Sequence, residues 1–511
     1  MRVIIDGWAW LERGALSEGN LRALRTALTV QPILTTDVAG VAAPKPIMLY
    51  RDRPEEGLFG VPRGFYRASA KGQNEEVLKV SYGQPMQPMV SRYRADGPFA
   101  QQVEALDIFQ HQLTAQPWGG GILCAGCGVG KSTWSVELAH RLGRTTLIVV
   151  HKEFFLDQWR QRILEVLPAA RIGIVRQNEC NFRDQDFVIA MIQSLAKDTE
   201  SQRYSRELYN AFNLCVYDEM HHTGSEVWST VSHRFNAAYR IGLSATPRRA
   251  DRAEAVFFHH IGPILHTMQA QSMPFQVRYL TSDSELQGIR RGDYSVSAGR
   301  MNSAQVITAL ANDEARTRHI AEDVAIATRK GRKIMIVSHR LEHLRAMRKD
   351  LRKVLAATLL PWPVAIEPYT GQWFSSEGSD DKRTLTKGEL RAAERANVML
   401  CTIQLVNEGL DVPALDVIVI ATPLGDIEQV AGRGRRWCTP SPEKCAHYCP
   451  WRAGTCQGKL TPILVDVRDP EVAWSERKAR GRDKFYRRMG VALPGEEAQG
   501  CLAVDKPPVV G

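Results

Sequence analysis

What this 511-residue sequence lacks narrows it first. No apolar run approaches the roughly 18 residues that a membrane-spanning helix needs, so no membrane association is expected. Residues Met1 to Leu16 carry Asp6 and Glu12 and have no continuous apolar core, so no secretory signal is expected and the cytoplasm is the expected location. Without export, the ten cysteines are expected to stay as thiols and not to pair as disulfides. Acidic residues are in deficit, 56 against 66 Lys and Arg, which leaves a formal charge of +10 and favours a polyanionic partner. What the chain has is 44% apolar residues, ample for large cores, and a length that suggests about three or four domains.

The stretch that organises the rest is Ala125-Gly-Cys-Gly-Val-Gly-Lys-Ser132. It follows the apolar run Gly121-Ile122-Leu123-Cys124, which reads as a buried strand, and opens an amphipathic run through Arg141, which reads as a helix. A glycine-rich turn in that setting points successive backbone N–H groups at a polyphosphate lying at the positive end of the helix. Gly128 and Gly130 let the backbone wrap, Lys131 reaches the β- and γ-phosphates, the Ser132 hydroxyl ligates Mg²⁺, and Thr133 stands beside it in the nucleotide site. The first position is Ala125 where the strict pattern has Gly.

Residues 1–92 read as a small α+β accessory module with a strand at Arg2 to Ile5 and a helix around Glu18 to Leu28. The aromatic and basic run Gly60 to Arg67 makes that module a candidate DNA surface. Tyr82 to Pro98, rich in Pro, Gly and Met, reads as a linker. Across 93–250 strands alternate with helices, which argues for a parallel sheet covered on both faces. The apolar strand Leu214 to Tyr217 ends in Asp218-Glu219-Met220-His221-His222. Downstream of a phosphate loop, Asp218 suits holding Mg²⁺ through its water shell and Glu219 suits deprotonating the water that attacks the γ-phosphate. Without the loop, Asp-Glu at a strand end would merely start a helix.

Taken together these segments resemble the superfamily 2 helicases, and within them the XPB-like and phage UvsW-type branch-migration DNA helicases. Asp218-Glu219-Met220-His221 resembles their DExH box, Ser244-Ala245-Thr246 the motif that couples hydrolysis to strand movement, and His151 to Trp159 their motif Ia. Gln102 sits where the family places its adenine-reading glutamine, with Phe99, Ala100 and Gln101 in place of the usual Arg and Tyr before it. In the second half, Ser338-His339-Arg340 resembles motif IV. Thr402 to Pro413 resembles motif V, with Gly409 and Asp411 facing the ribose. Gln429-Val-Ala-Gly-Arg433-Gly-Arg-Arg436 matches the family's Gln-x-x-Gly-Arg-x-x-Arg at every fixed position. Arg433 and Arg436 are then the arginine fingers, a device worth about 10³ to 10⁵ in turnover. The resemblance implies two tandem RecA-like parallel-sheet domains, with residues 251–330 connecting them and starting the second, and 331–470 completing it. It implies ATP and Mg²⁺ as cofactors, a DNA strand held near His151, Gln193, His339 and Thr402, and a bacterial or phage-infected host setting.

Beyond the arginine run, Cys438, Cys445, Cys449 and Cys456 are spaced by six, three and six residues, with His447 among them. Four thiolates in a short, core-poor stretch suit a tetrahedral zinc ion, with an iron–sulfur cluster as the alternative. Residues 471–511 read as a basic helix, Arg477 to Arg488 with Phe485 and Tyr486, followed by a tail. The expected protein is an ATP-dependent DNA helicase or translocase, monomeric, acting on forks or Holliday junctions beside replication or recombination proteins. Its rivals are an RNA helicase, a duplex translocase that separates nothing, and an ATP-switched DNA-binding adaptor.

Overall fold

The computed structural model describes residues 1–33, 45–70, 74–95, 100–126, 129–201, 203–220, 225–245, 253–268, 273–282, 303–357, 360–407, 410, 412–425, 427–436, 438, 442–452 and 459–494. Among these, no helix is long and apolar enough to cross a membrane. The chain divides into two units, Met1–Gln271 and Ser272–Gly511.

In the first unit, apolar runs become strands buried along nearly their whole length: Thr146–Val150, Phe187–Met191, Leu214–Tyr217 and Tyr239–Ser244. Runs of this kind, without polar alternation, are what a parallel sheet covered on both faces requires. The sheet has eight strands, in the order Glu179–Cys180, Ile172–Arg176, Phe187–Met191, Thr146–Val150, Leu214–Tyr217, Tyr239–Ser244, Gly119–Ala125, Ile264–Met268. All pair in parallel except Glu179–Cys180, which adds antiparallel at one edge. Ile264–Met268 closes the other edge, so part of the stretch read as a connection belongs to this sheet, because it pairs with Gly119–Ala125.

The accessory module packs within this unit. Its five-stranded sheet runs Arg51–Arg53, Leu58–Val61, Ala9–Glu12, Arg2–Ile5, Glu75–Leu78. Ser17 caps the helix Glu18–Ala27 by accepting from Asn20 N at 3.1 Å. Arg63, expected on a DNA-facing surface, is only 2% exposed. Its guanidinium donates to the carbonyls of Asp6, Ala237 and Ala238, so it fastens the module to the first sheet. The expected linker is likewise no free tether. Met86 N donates to Gly143 O at 3.0 Å, Gln87 N to Asp186 Oδ1 at 3.1 Å, and Arg92 N to Val166 O at 2.7 Å. Backbone donors that find protein acceptors from Met86 to Arg92 make the segment a strap.

The second unit carries a six-stranded, wholly parallel sheet, Gln276–Thr281, Ile463–Arg468, Val417–Ile420, Ile334–Ser338, Val398–Thr402, Ile366–Tyr369. Both units thus have the expected parallel-sheet architecture. The helix Ala473–Arg488, read from the sequence as a basic helix with two aromatics, packs on this sheet by one face. Tyr486 is fully buried, and Arg482 pairs with Asp466 at 2.7 Å with neither side chain exposed. Of its remaining cations, Arg477, Arg480, Lys484, Arg487 and Arg488 are exposed and Lys478 is half-buried.

A second buried pair joins the helix Glu314–Arg329 to the strand end: Arg316 Nε lies 2.7 Å from Asp469 Oδ1, and its Nη1 donates to Ala421 O at 2.7 Å. Removing one partner of such a pair strands the other charge, so Asp469→Ala should cost about 3–5 kcal/mol. The check is the midpoint of urea unfolding. A midpoint equal to that of the parent would show that the pair contributes nothing net.

Candidate nucleotide site

The phosphate loop leaves the carboxyl end of the strand Gly119–Ala125 and enters the helix Lys131–Leu142 through Gly130. Gly130 has φ +84°, and a Cβ there would lie 2.4 Å from Gln102 Nε2, so conformation and space both call for glycine. Gln102, 1% exposed, is built into the underside of the loop. Its amide donates to Val129 O, and its carbonyl accepts from Tyr93 OH at 2.5 Å. The residue expected to read adenine braces the loop in this structure, and Tyr93 of the strap supplies the tyrosine missing just upstream of it. The Arg92-Tyr93-Arg94 run nine residues earlier is the sequence signal that could have located it.

Lys131 Nζ forms an ion pair with Glu219 Oε1 at 2.9 Å, with Lys131 9% exposed. Glu219 takes φ +43°, a left-handed conformation unfavourable for a glutamate, immediately after the strand Leu214–Tyr217. Strain of that kind at a functional residue persists only where the surroundings hold it. Asp218 accepts from Trp159 Nε1 at 2.8 Å, which ties the carboxylate to the helix Phe154–Val166. Burial, then the neighbouring Glu219, push the Asp218 carboxyl above its ordinary range, while Lys131 and the Trp159 hydrogen bond oppose the shift. The Thr133 hydroxyl donates back to Gly130 O at 2.9 Å, and the Ser132 side chain stays half-buried at the helix start.

The other expected residues of this unit divide. Ser244 is fully buried at the end of Tyr239–Ser244. Gln193 Nε2 donates to His151 O at 2.6 Å, so these two expected strand-contacting residues join neighbouring loops at the same edge of the sheet. Gly128, His221 and Thr246 lie outside the described residues.

In the second unit, the His339 backbone N–H donates to Thr422 Oγ1 at 3.1 Å, and its ring Nδ1 lies 2.9 Å from the same oxygen. Burial and Arg340 lower its pKa, which favours the neutral ring. Thr402 ends the strand Val398–Thr402 and is half-buried. Gln429 and Arg433 lie on the helix Glu428–Gly434, with Arg436 just beyond. Arg433 is 6% exposed, with Nε donating to Val406 O at 3.1 Å and Nη1 to Leu410 O at 3.0 Å. The first expected finger thus fastens the helix to the segment after Thr402, and those two donors are committed inside its own unit. Lys459 was missed altogether. Its ammonium donates to Pro413 O, Gly434 O and Arg436 O at 2.9, 2.6 and 2.9 Å, capping the carbonyl end of the arginine helix. A single lysine before a strand carries no sequence signal for that role. Gly409 and Asp411 lie outside the described residues.

The metal expectation finds no support among the described residues. Cys445 and Cys449 are 7% and 3% exposed and one helical turn apart, and burial pushes the Cys449 thiol up to about 12. Among the described residues, however, no group of three or more His, Cys, Asp or Glu side chains is placed to hold a metal ion. Cys456 lies outside those residues, and Cys438 is a half-exposed thiol. Spacing alone had suggested a tetrahedral site; two of the three described thiols are packed as small apolar groups.

Comparison with known proteins agrees with the geometry. Residues 97–249 match the family model described as type III restriction enzyme, res subunit. Over 488 residues, 94% of this chain and 84% of the relative, the chain is 26% identical to "Putative ATP-dependent RNA helicase L396" of Acanthamoeba polyphaga mimivirus. It is 30% identical over 155 residues to the DNA 3'-5' translocase XPB2 of Sulfurisphaera tokodaii, a match that spans 30% of this chain and 33% of that protein. Among solved structures, that of T4 UvsW aligns over 96% of this chain and 97% of its own, at 14% identity and a TM-score of 0.36. The phosphate loop, the Asp-Glu strand end and relatives whose similarity reaches into both units lead to one conclusion: the chain is similar to superfamily 2 helicases.

Proposed function

We propose that the protein couples ATP hydrolysis to movement along DNA and that its substrate is branched DNA such as a fork or Holliday junction. The observation that carries the ATPase part of this reading is the Lys131–Glu219 pair beside Asp218, at the carboxyl edge of a parallel sheet where α/β proteins bind nucleotides. The family implies ATP and Mg²⁺. The residues present suit both: Lys131 supplies a cation for the β- and γ-phosphates, while Ser132 and Asp218 are oxygen donors for a hard divalent ion. Bound Mg²⁺ would neutralise charge on the phosphate oxygens. Without nucleotide, Lys131 neutralises Glu219. When phosphates draw the ammonium away, Glu219 is left as an anion able to take a proton from the attacking water. The resemblance assigns the finger role to Arg433 and Arg436, permanently ionised groups of the kind that charge spreading on a γ-phosphate requires. With two Arg433 donors held by Val406 and Leu410, Arg436 is the stronger candidate for that role.

The DNA track draws support from the relative named a DNA 3'-5' translocase, and the RNA track from the relative named an RNA helicase. The phosphate-directed contacts expected at His151, Gln193, His339 and Thr402 carry no base information, so weak sequence preference and strong salt dependence are expected.

Lys131→Ala and Glu219→Gln should each abolish DNA-stimulated ATP hydrolysis, measured as phosphate release; normal turnover in either purified variant overturns the site. Strand displacement should be faster on forked DNA than on linear duplex or RNA. Preference for RNA would move the track, and hydrolysis without displacement of any substrate would favour the adaptor.

A further inference from the structure

At the amino ends of the first sheet's strands, away from the nucleotide loop, the accessory module and the sheet form an open, solvent-facing cavity of about 370 Å³. The module contributes Asp6, Trp8, Trp10, Arg51 and Arg53. The first sheet contributes Arg206 and Tyr209, just before the strand Leu214–Tyr217, and His233 and Arg234, just before Tyr239–Ser244. Lys131 and Glu219 stand at the opposite ends of those parallel strands, so roughly 15–20 Å of sheet separates the two places.

The charge there is unbalanced. Four guanidinium groups line the cavity against one carboxylate, Asp6. Asp6 Oδ1 is already engaged, accepting from Trp8 N at 2.8 Å and Trp10 Nε1 at 2.9 Å. Arg234 has Asp198 at 2.8 Å, and Arg53 has Glu56 at 3.0 Å. For Arg51 and Arg206 no ion pair is found among the described residues. Arg51 instead faces a neutral base: its Nη2 lies 2.8 Å from His233 Nε2. Burial, then Arg51 itself, hold the His233 pKa down to about 3. Burial and the like charges of Arg53 and Arg234 also lower the Arg51 pKa.

Aromatic faces fix where these cations sit. Arg51 Cζ lies 5.4 Å from the Trp8 ring centre, Arg53 Cζ 4.4 Å from Trp10, and Arg234 Cζ 4.2 Å from Tyr209. Stacking holds guanidinium planes in place while leaving their N–H edges to bind an anion. Since Trp8 and Trp10 are only 5% and 6% exposed, the rings have little face left for a base. The cavity therefore suits a phosphodiester and not a nucleobase.

We propose that this cavity is a second nucleic-acid contact, in which Arg51 and Arg206 grip backbone phosphates of a strand at the end of the first sheet remote from ATP. This rests on the nucleic-acid-dependent reading given above and adds a site to it. The shared chemistry is a phosphate oxyanion, which a strand or free inorganic phosphate could supply.

The test uses the full chain and fluorescence anisotropy with a labelled forked oligonucleotide, titrated at several salt concentrations. Arg51→Gln/Arg206→Gln should weaken binding about 10- to 100-fold and flatten the log–log salt dependence by about two phosphates' worth. Arg206 is exposed, so Arg206→Glu is a second variant that spares the packing and should weaken binding in the same direction. Parent-like affinity and salt slope in both variants overturn the proposal. So does calorimetry with inorganic phosphate alone if the double variant loses phosphate binding yet holds the oligonucleotide like the parent. A parent protein that binds no oligonucleotide at all would instead overturn the nucleic-acid-dependent reading on which this one rests.

Discussion

The ion pair between Lys131 and Glu219 is the contact on which the first unit's chemistry depends, and the sheet makes it possible. The strand that feeds Lys131 and the strand that feeds Glu219 are separated by a single strand, Tyr239–Ser244, and all three run the same way. Two inter-strand spacings amount to about 10 Å. An extended lysine and a glutamate can close that gap only if both leave the sheet at the same edge and turn towards each other. The left-handed backbone at Glu219 supplies the turn on one side, and Gly130 at φ +84° supplies it on the other. Antiparallel pairing of either strand would send one group to the far edge. Parallel topology is therefore the condition for the site as well as the means of burying the strands.

The same topology explains how much could be read in the sequence. Strands covered on both faces must be apolar throughout, and Thr146–Val150 and Leu214–Tyr217 are visible for that reason. Phosphate chemistry also restricts residue type at fixed offsets, which made Lys131, Asp218 and Glu219 legible. The strap was not legible, because its attachment uses backbone donors such as Met86 N and Arg92 N, which leave no residue pattern. Nor was the Arg433 contact, since a guanidinium aimed at carbonyls of its own unit and one aimed at a phosphate are the same letter in a sequence.

Buried cations recur in both units, and two of them, Arg63 and Arg482, lie in runs read from the sequence as basic. Arg63, Arg316, Arg482, Lys333 and Lys459 are all at most 8% exposed. Each has an internal acceptor, whether a carbonyl, as for Arg63 and Lys459, or a carboxylate, as for Arg316 with Asp469 and Arg482 with Asp466. Lys333 donates to Glu394 O and Ala396 O, and burial lowers its pKa to about 7. A buried charge is tolerated when its donors are satisfied, so a basic run in sequence does not by itself describe a surface. The helix Ala473–Arg488 shows both outcomes two residues apart, with Arg482 turned to Asp466 and Arg480 turned to solvent.

Lys459 and Arg433 together give the arginine helix its footing. Arg433 binds the carbonyls of Val406 and Leu410, and Lys459 binds those of Pro413, Gly434 and Arg436. Arg433 and Lys459 thereby tie the acceptors at Val406, Leu410 and Pro413 to those at Gly434 and Arg436. Backbone carbonyls offer no alternative rotamer, and a displaced ammonium at this depth would have no water to turn to. Arg436 is therefore presented by a platform whose orientation is set by the second sheet and not by its own helix, which is only seven residues long. A displacement of Val406, Leu410 or Pro413 would be felt at Arg436 through these hydrogen-bonded atoms.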